Sequence, residues 1–420
     1  MKKCLIVSPH FPPSTLAGVH RARHLAKHLP AHGWSPRIVT VDPAYHVEPL
    51  DPALRSLVPG DTRVIDTRAL PLWLTAPFGL RGDIGLRGLL HLRAAIHREL
   101  RCEPADLVMI TGSPFHPMLL AKGIARRFDT PVVLDLQDPW ASREGATRQR
   151  WTKGWLAHRL AVALEPRALR GAAWVSAVSE RQNVDLAERY SWLDPARMTA
   201  VPIGGDPEDY NAIRDIAASL DGGDFTFSYV GTALPRATPL LEILFKGLRQ
   251  LRESAPELAG RIRLRFVGTS NQPSQSGALR VMPLAEAAGV ANLVSERPGR
   301  VPFLDALRLL SQTDAVLMIG SDEPHYTASK IYPGLMAARP FLSLFHPASS
   351  AHGILSKAGG GVALAYPGTG RLVDEISEGM RRIVCEPERL DRPNPKAYAS
   401  YTAHAVAGQF AAVFDQVLGL

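Results

Sequence analysis

Short apolar runs alternate with helix-like patterns along the first half of the chain. The runs at 4–7, 37–41, 107–111, 131–136 and 173–178 have the length and composition of buried strands. Between them, apolar positions recur with helical spacing, at 18–29, 117–127 and 180–190. Strands that alternate with helices predict βαβ units and a parallel sheet that is covered on both faces.

The same alternation resumes in the second half, after a looser stretch at 201–222. It predicts strands at 225–230, 262–267 and 315–319, helices at 239–253, 302–310 and 332–338, and a long amphipathic helix at 398–418. The predicted fold is therefore α/β with two Rossmann-like domains, at 1–205 and 224–395, a linker at 206–223 and a C-terminal helix within 396–420. Such sheets bind ligands beyond the carboxyl ends of their strands. If the two edges face each other, the cleft between them is the expected active site.

Length and composition fit a two-domain globular protein. The chain has 420 residues, more than one hydrophobic core usually serves, and 46% of them are hydrophobic. No apolar run approaches the ~18 residues of a membrane-spanning helix, and the first one is too short for a signal peptide. The cysteines Cys4, Cys102 and Cys385 form no metal-binding or redox pair. These features predict a cytoplasmic protein.

The positive charge is concentrated in the first half. Residues 1–205 contain 27 Lys and Arg against 18 Asp and Glu, whereas the remainder contains 21 against 22. A pI near 9.5 is one sign of a nucleic-acid-binding protein. Because aromatic RNA signatures and zinc-finger spacings are missing, we expect no nucleic-acid partner. A phosphorylated or membrane-associated substrate explains the charge better.

The loop after the first strand has features of an anion site. It runs from Ser8 to Gly18 and leads directly into a helix that begins Val19-His20-Arg21. Gly18 lets a ligand approach the backbone, and the free N–H groups at the helix start favour an anion. The alternative is a glycine that only forms the turn.

The loop after the strand at 315–319 leads into a helix that starts near Lys330. Thr327 and Ser329 are candidate N-caps, and Pro333 fits only the first turn. A lysine at a helix N-terminus opposes the macrodipole unless an anion such as a diphosphate binds there. A solvated lysine is the alternative.

Two further loops add small residues and a cation at the ends of strands in the second half. Gly231, Thr232 and Arg236 follow the first of these strands, and Thr269 and Ser270 follow the next. Glycine permits close approach of a ligand to the backbone, and the hydroxyl groups are potential donors.

In this order the motifs resemble those of the family 4 glycosyltransferases of the GT-B fold, over nearly the whole chain. In the first half the matching residues are Phe11-Pro12-Pro13, Gly18, Arg21, Leu25-Ala26, Gly33, Leu134-Asp135-Leu136-Gln137-Asp138-Pro139-Trp140, Ala177-Val178-Ser179 and Val201-Pro202-Ile203-Gly204-Gly205-Asp206. In the second half they are Tyr229-Val230-Gly231, Gly299-Arg300-Val301-Pro302, Ser329-Lys330-Ile331-Tyr332, Leu335 and Ala337-Ala338-Arg339-Pro340.

The resemblance implies a nucleotide-sugar donor in the second domain and a saccharide or lipid-linked acceptor in the first. It also implies retention of anomeric configuration and a last helix that crosses back to the first domain. From the resemblance we expect neither a cofactor nor a metal ion. The donor-binding residues expected from it are Gly18, Gly231, Thr232, Arg236, Thr269, Ser270, His325, Thr327, Ser329, Lys330 and Tyr332. The acceptor-binding residues are His20 and Arg21.

The donor side also departs from the family's pattern. Many members carry two glutamates eight residues apart, and the second holds the ribose hydroxyls; His325 and Pro333 stand at these positions here. The arginine that often follows the Val-Gly pair is Thr232, and Arg236 is its candidate substitute. We then expect Asp322 or Glu323 to take over the contact with the ribose, and His325 to face the donor sugar.

His116 and Asp138 are the candidates for chemistry, since both follow predicted strands of the first domain. A retaining transferase relies on charge stabilisation and on the position of the acceptor hydroxyl. We expect Asp138 to orient or deprotonate that hydroxyl and His116 to hydrogen-bond the donor sugar. The alternatives are that Asp138 caps a turn and that His116 is packed.

Four histidines recur at every fourth position, a spacing that could place two imidazoles on one metal ion. Nothing else in this row favours a metal site. The row comprises His20, His24, His28 and His32. Pro30 ends the helix before the last of them, and no carboxylate accompanies the row, so we expect no metal site.

Two basic, aromatic stretches predict contact with an anionic membrane. Residues 70–100 interleave Trp73, Phe78 and leucines with arginines, and residues 148–156 combine cations with two tryptophans. Such segments lie in the headgroup region of a bilayer. A lipid-linked acceptor at the inner face of the cytoplasmic membrane would explain them. Helices packed on the sheet with basic outer faces give the same pattern.

Two other functions share the fold. A nucleotide-sugar epimerase would need acidic groups around the sugar in both domains. A non-catalytic sugar-nucleotide-binding subunit would keep the cleft without turnover. The missing glutamates favour this second alternative, whereas Lys330, Asp138 and the glycine loops favour a transferase.

Overall fold

The computed structural model describes residues 1–76, 82–213, 224–270, 277–323, 329–390 and 392–420. The chain divides into two compact units. The first consists of Met1–Ile203 together with Ala403–Leu420, and the second of Gly204–Thr402. Each unit contains a parallel sheet with helices, so the predicted α/β class with two Rossmann-like halves is confirmed.

The described strands of the first unit pair in the order β3-β2-β1-β4-β5-β6-β7, all in parallel. They are β1 Lys2–Val7, β2 Trp34–Val41, β3 Arg63–Thr67, β4 Leu107–Gly112, β5 Val132–Leu136, β6 Trp174–Ala177 and β7 Met198–Ala200. The helices are α1 Val19–His28, α2 Leu72–Thr75, α3 Ile84–Arg87, α4 Leu89–Cys102, α5 Ala121–Phe128, α6 Arg143–Ala146, α7 Lys153–Leu169 and α8 Glu180–Arg189. A 3₁₀ turn, His116–Leu120, precedes α5.

The second unit follows the same plan, with strand order β10-β9-β8-β11-β12-β13. Its strands are β8 Phe225–Val230, β9 Ile262–Val267, β10 Val294–Arg297, β11 Ala315–Ile319, β12 Phe341–Phe345 and β13 Gly361–Ala365. Its described helices are α9 Thr238–Ser254, α10 Pro256–Gly260, α11 Met282–Ala287, α12 Phe303–Gln312, α13 Ile331–Met336, α14 Ser350–Ala358, α15 Leu372–Cys385 and α16 Pro395–Tyr398.

Both faces of the first sheet are covered, which explains why the interior strand β1 is apolar and buried from Cys4 to Val7. On β1, Cys4 and Ile6 pack into the cluster that contains the C-terminal helix, α17 Ala403–Leu418. Leu5 and Val7 point the opposite way, into the cluster formed with α4. Successive side chains of a strand alternate between faces, so a strand that is covered on both faces is apolar at most of its positions.

The prediction of one continuous helix over 398–418 was wrong. Helix α16 ends at Tyr398, a 3₁₀ turn follows, and α17 begins only at Ala403. Thr402 has extended backbone and forms a β-bridge with Gly205. This tertiary pairing outweighs the local helical pattern. Among the described residues, no helix is both long and apolar enough to cross a bilayer.

Candidate functional site

Each sheet has one point at which strand addition switches sides. In the first sheet it lies between β1 and β4, and in the second between β8 and β11. Doubly wound sheets bind their ligands in the loops at such points. Gly18 and His116 follow the first pair of strands, and Gly231 and Lys330 follow the second.

Lys330 lies against the end of β8. Its Nζ donates a hydrogen bond to the Thr232 carbonyl (3.2 Å) and lies 5.9 Å from the centre of the Tyr229 ring. Gly231 has a φ of 143°, and a Cβ at this position would approach Nζ to 2.5 Å. Position 231 therefore needs glycine, both for its backbone conformation and for the space that the lysine occupies.

No carboxylate of the described residues balances the charge of Lys330. Crowding of its ammonium by the surrounding loops, together with repulsion from Arg300, lowers the pKa of Lys330 to about 8. The residue keeps exposed surface, so water still reaches the cation from one side. Among the described residues, no acidic side chain forms an ion pair with Lys330. An anion bound here would relieve the repulsion between the two cations.

Arg236 is held by an acidic residue of the loop after β11. Its guanidinium forms an ion pair with Glu323, and its carbonyl accepts a hydrogen bond from the Asp322 amide (3.4 Å). The Asp322 residue is exposed. Arg236 can therefore contact a phosphate only by sharing or leaving Glu323, whereas Asp322 is open to a ligand.

Three residues expected on the donor side lie in the interior. The Thr269 hydroxyl donates to Glu296, and the Ser270 hydroxyl donates to a loop carbonyl (2.9 Å). Tyr332 is buried and stacks on Tyr401, with ring centres 5.4 Å apart. These side chains hold the loops in place, so a ligand contact at 269–270 would use backbone groups.

The rest of the expected donor loop is only partly described. His325 and Thr327 lie outside the described residues. Ser329 is half-buried in the turn before α13, and its carbonyl accepts a hydrogen bond from the Tyr332 amide (3.4 Å). The helix starts near Lys330 as predicted, but its N-cap is Lys330 itself, so the prediction of Ser329 as the N-cap was wrong.

Three loops of the first unit converge at Gly18, which precedes α1. A Cβ at this position would lie 3.2 Å from the Ser113 carbonyl oxygen and 3.7 Å from Oε1 of Gln137. These neighbours follow β4 and β5. Because glycine has no side chain, the loop backbone at Gly18 can lie close to both Ser113 and Gln137.

The two residues expected on the acceptor side are engaged within the first unit. Arg21 is fully buried; its Nε lies 3.0 Å from Asp135, and its other nitrogens donate to the carbonyls of Val201 and Pro202. His20 lies beside Arg23, and burial together with that cation lowers its pKa to about 3. The structure therefore makes Arg21 a structural residue and keeps His20 neutral.

His116 forms a carboxylate–imidazole pair with Asp83. The Nδ1 of His116 lies 2.6 Å from Asp83 Oδ2, and its ring packs edge-on against Trp140. Burial raises the pKa of Asp83, but the hydrogen bond and the charge of His116 outweigh it and hold the pKa below its usual value. The carboxylate thus fixes the orientation of the imidazole.

Asp138 lies at the carboxyl end of β5 and makes no hydrogen bond or ion pair with the residues that the structure describes. Partial desolvation raises its pKa, although the residue retains exposed surface. A carboxylate of this kind is a stronger base than an ordinary aspartate.

A second carboxylate–imidazole network, which the sequence analysis did not identify, lies beside the same edge. One oxygen of Glu48 lies 2.9 Å from Nδ1 of His10, 2.7 Å from Nδ1 of His46 and 2.5 Å from Oγ of Ser14. The Nε2 of His46 faces the Val41 carbonyl at 3.0 Å. These hydrogen bonds hold the pKa of Glu48 well below its usual range.

The two histidines of this network differ in how many of their ring nitrogens are engaged. His46 contacts Glu48 through Nδ1 and the Val41 carbonyl through Nε2. His10 uses Nδ1 toward Glu48, and its Nε2 has no hydrogen-bond partner among the described residues. The geometry leaves that nitrogen available at the end of β1.

Among the described residues, His10, His46 and Glu48 form the group whose side chains could together hold a metal ion. Their ligand atoms lie within 4.8 Å of one another. The 2.7 and 2.9 Å contacts of His46 and His10 with Glu48 are ordinary hydrogen-bond lengths. Hydrogen bonding therefore accounts for the cluster as it stands.

Comparison with known proteins gives one family match and several structural matches. Residues 17–204 match the family model of the glycosyl transferase 4-like domain. A comparison with curated protein sequences finds no match.

Several solved structures share the fold over the whole chain. HepE from Anabaena, in complex with UDP-glucose, has a TM-score of 0.60 and 15% identity, with 100% of both chains covered. The α,α-trehalose 6-phosphate synthase from Burkholderia multivorans has a TM-score of 0.58 and 14% identity, covering 100% of this chain and 99% of that one. TarM from S. aureus, in a complex that includes UDP, has a TM-score of 0.58 and 9% identity, covering 99% and 100%. At these identities the similarity establishes a shared fold.

Proposed function

We propose that this chain, a glycosyltransferase of the GT-B fold with a family 4-like first unit, transfers a sugar from a nucleoside diphosphate donor to a saccharide or lipid-linked acceptor, with retention of configuration. The observation that carries the proposal is the unbalanced cation Lys330 at the switch point of the second sheet. HepE and TarM are in complexes with UDP-glucose and UDP, so uridine nucleotides are the first donors to test.

The donor diphosphate binds at Lys330 and Gly231. The glycine brings the backbone close, and the lysine supplies a cation with no competing carboxylate among the described residues. Sugar transfer breaks the bond between the anomeric carbon and the diphosphate oxygen, which leaves negative charge on the diphosphate. A positioned cation stabilises that charge without reorganisation. Asp322, the exposed acidic residue of this loop, contacts the ribose.

The acceptor binds at the first unit, at the carboxyl ends of β1, β4 and β5. A bond forms between its hydroxyl oxygen and the anomeric carbon, and its proton passes to Asp138 or to the leaving diphosphate. The raised pKa of Asp138 suits it to receive or orient that proton. His116, fixed by Asp83, hydrogen-bonds the donor sugar, and His10, fixed by Glu48, hydrogen-bonds the acceptor.

A membrane surface on the first unit would bring a lipid-linked acceptor to this site. Trp151 is 81% exposed and Trp73 is 74% exposed, and Leu156 on α7, which is close to Trp151 in sequence, is exposed as well. Phe78 and Arg81 of the expected segment lie outside the described residues. Arg87 does not contribute, because it is buried and donates to two backbone carbonyls. We place the protein in the cytoplasm, in peripheral contact with an anionic membrane.

The proposal is tested with a nucleotide panel. UDP, GDP, ADP, CMP and dTDP, with their sugar conjugates, are added to the purified protein and the unfolding temperature is followed. A ligand that binds only the folded state raises that temperature by mass action. We expect one nucleoside diphosphate to stabilise the protein and its sugar conjugate to release nucleotide when an acceptor is present.

Absence of any shift across the panel would contradict the donor assignment. A shift without nucleotide release would favour the binding-subunit alternative instead. Two observations support that alternative: Pro333 replaces the ribose-binding glutamate, and Arg236 is already paired with Glu323.

A further inference from the structure

A cavity of about 390 Å³ opens between α4, α5 and the 3₁₀ turn that precedes α5. Arg93 and His97 line it from α4, and Arg126 and Arg127 line it from α5. Two leucines of the 3₁₀ turn complete an apolar wall. The cavity therefore combines a cluster of cations with apolar surface.

The arginines of this cavity have no acidic partner in the part of the chain that the structure describes. Among the described residues, no carboxylate forms an ion pair with Arg93, Arg126 or Arg127. Burial, followed by repulsion from Arg127, Arg93 and Arg101, lowers the pKa of His97. Like charges held together without a partner favour the binding of an anion.

The cavity is separate from the switch-point site. The chain leaves β4 at its carboxyl end, passes through His116 and returns along α5 to the amino end of β5. Arg126 and Arg127 stand in the last turn of α5 and so lie toward the opposite edge of the sheet from His116. The donor and acceptor contacts proposed above do not use these residues.

Exposed apolar side chains are carried by α4 and by a helix that packs against the cavity's 3₁₀ turn. Leu90 precedes Arg93 and His97 on the same face of α4, at helical spacing, and is 68% exposed. Helix α7, which carries the exposed Leu156 and Leu160, packs against the 3₁₀ turn of the cavity. A free phosphate would use only the cations, whereas a lipid would use both kinds of surface.

We infer that this cavity binds the phosphate headgroup of an anionic membrane lipid, with the apolar groups of Leu90 and α7 at the level of the adjoining acyl chains. The inference rests on the proposed membrane contact of the first unit. It does not depend on sugar transfer, since it involves no residue of the donor or acceptor site.

Gly123→Glu tests this inference with little disturbance to the fold. Gly123 lines the cavity on α5, and a Cβ there meets no atom within 4 Å. The new carboxylate would stand four residues before Arg127, where it acts as an internal counter-ion. Gly353→Glu is the matched control, because Gly353 is an equally open helical glycine of α14 in the second unit.

The readout is sedimentation with phosphatidylglycerol vesicles at low salt. We expect Gly123→Glu to weaken partitioning by about fivefold to tenfold, since one basic charge near an anionic bilayer contributes about that much. Gly353→Glu should bind as the wild type does. Equal loss in both variants, or loss in neither, overturns the inference.

The titration of His97, followed by NMR with His97→Gln to assign its signal, separates the sources of phosphate. Short-chain phosphatidylglycerol should shift its pKa upward, and inorganic phosphate at the same ionic strength should shift it less. An equal shift with inorganic phosphate refutes the lipid assignment.

A double variant distinguishes the two proposals about the membrane. Trp151→Ala combined with Trp155→Ala removes apolar contact but keeps every cation of the cavity. If the double variant loses vesicle binding and Gly123→Glu does not, the membrane contact stands and the cavity inference fails. If nucleotide release also persists in all of these variants, sugar transfer is independent of both.

Discussion

At the scale of single residues, Lys330 carries the donor assignment. Lys330→Ala removes the cation but leaves Gly231 and the neighbouring strands unchanged. We expect nucleoside diphosphate binding to weaken by about 1.5–3 kcal/mol, the range for a hydrogen bond to a charged group. Calorimetric titration measures the dissociation constant directly. Lys357→Ala, at an exposed position of α14, is the control, and a dissociation constant unchanged by Lys330→Ala would refute the assignment.

The lowered pKa of Lys330 also predicts how nucleotide binding depends on pH. Below about pH 8 the free protein carries the ammonium, and above it the charge is lost. A bound diphosphate favours the protonated lysine, so affinity should fall as the pH rises, by about tenfold per pH unit above 8. In Lys330→Ala the dissociation constant should stay flat over this interval. A parallel fall in both proteins would assign the effect to another group.

The residues of the site were predictable where a loop pattern carried the signal. Gly231 and Lys330 each follow a buried strand, and the structure brings them into contact although they are 99 positions apart. The Glu48 network had no such signal, because His10 and His46 follow different strands and only the pairing of β1 with β2 brings them together. Thr269 shows the converse: its loop was predicted, but its hydroxyl is used by Glu296.

At the scale of elements, α17 completes the core of the first unit. Phe410 is fully buried, packs near Phe414, and lies under the guanidinium of Arg21 at 4.8 Å. Phe410→Ala should lower the free energy of unfolding by about 3–5 kcal/mol, the usual cost of deleting a buried phenyl ring. Chemical denaturation measures this loss.

The matched control for Phe410→Ala is Gln416→Ala, an exposed position of the same helix. Its effect should stay within about 0.5 kcal/mol. A loss below 1 kcal/mol for Phe410→Ala would mean that α17 contributes little to the unit.

Strand prediction succeeded for strands inside the second sheet. The bounds of β8, β9 and β11 match the predicted ranges, because each strand pairs on both edges and carries buried apolar side chains, although Arg263 and Arg265 of β9 are only half-buried. The edge strands β3 and β10 were not assigned, since they carry charged residues and have a single pairing partner. Strand β12 is fully buried and is apolar except for Ser343, so its sequence does contain the signal of a buried strand, although no strand was predicted there.

At the scale of the whole molecule, the alternation of strands and helices was enough to predict two parallel sheets. The point of division was harder to locate from the sequence. The structure divides the chain after Ile203 and again after Thr402. The second division falls where Thr402 pairs with Gly205, a contact across almost two hundred residues that no local pattern reveals.

Because the chain returns to its first unit at the end, that unit can finish folding only late in synthesis. The second unit is one uninterrupted segment, Gly204–Thr402, whereas the first is completed only by Ala403–Leu420. Ile6 and Ile38 lie on the face of the first sheet that α17 covers. On the ribosome, this face stays uncovered until all of the second unit has been translated. During that interval the nascent chain presents an unfinished apolar surface, which is the kind of surface that chaperones recognise.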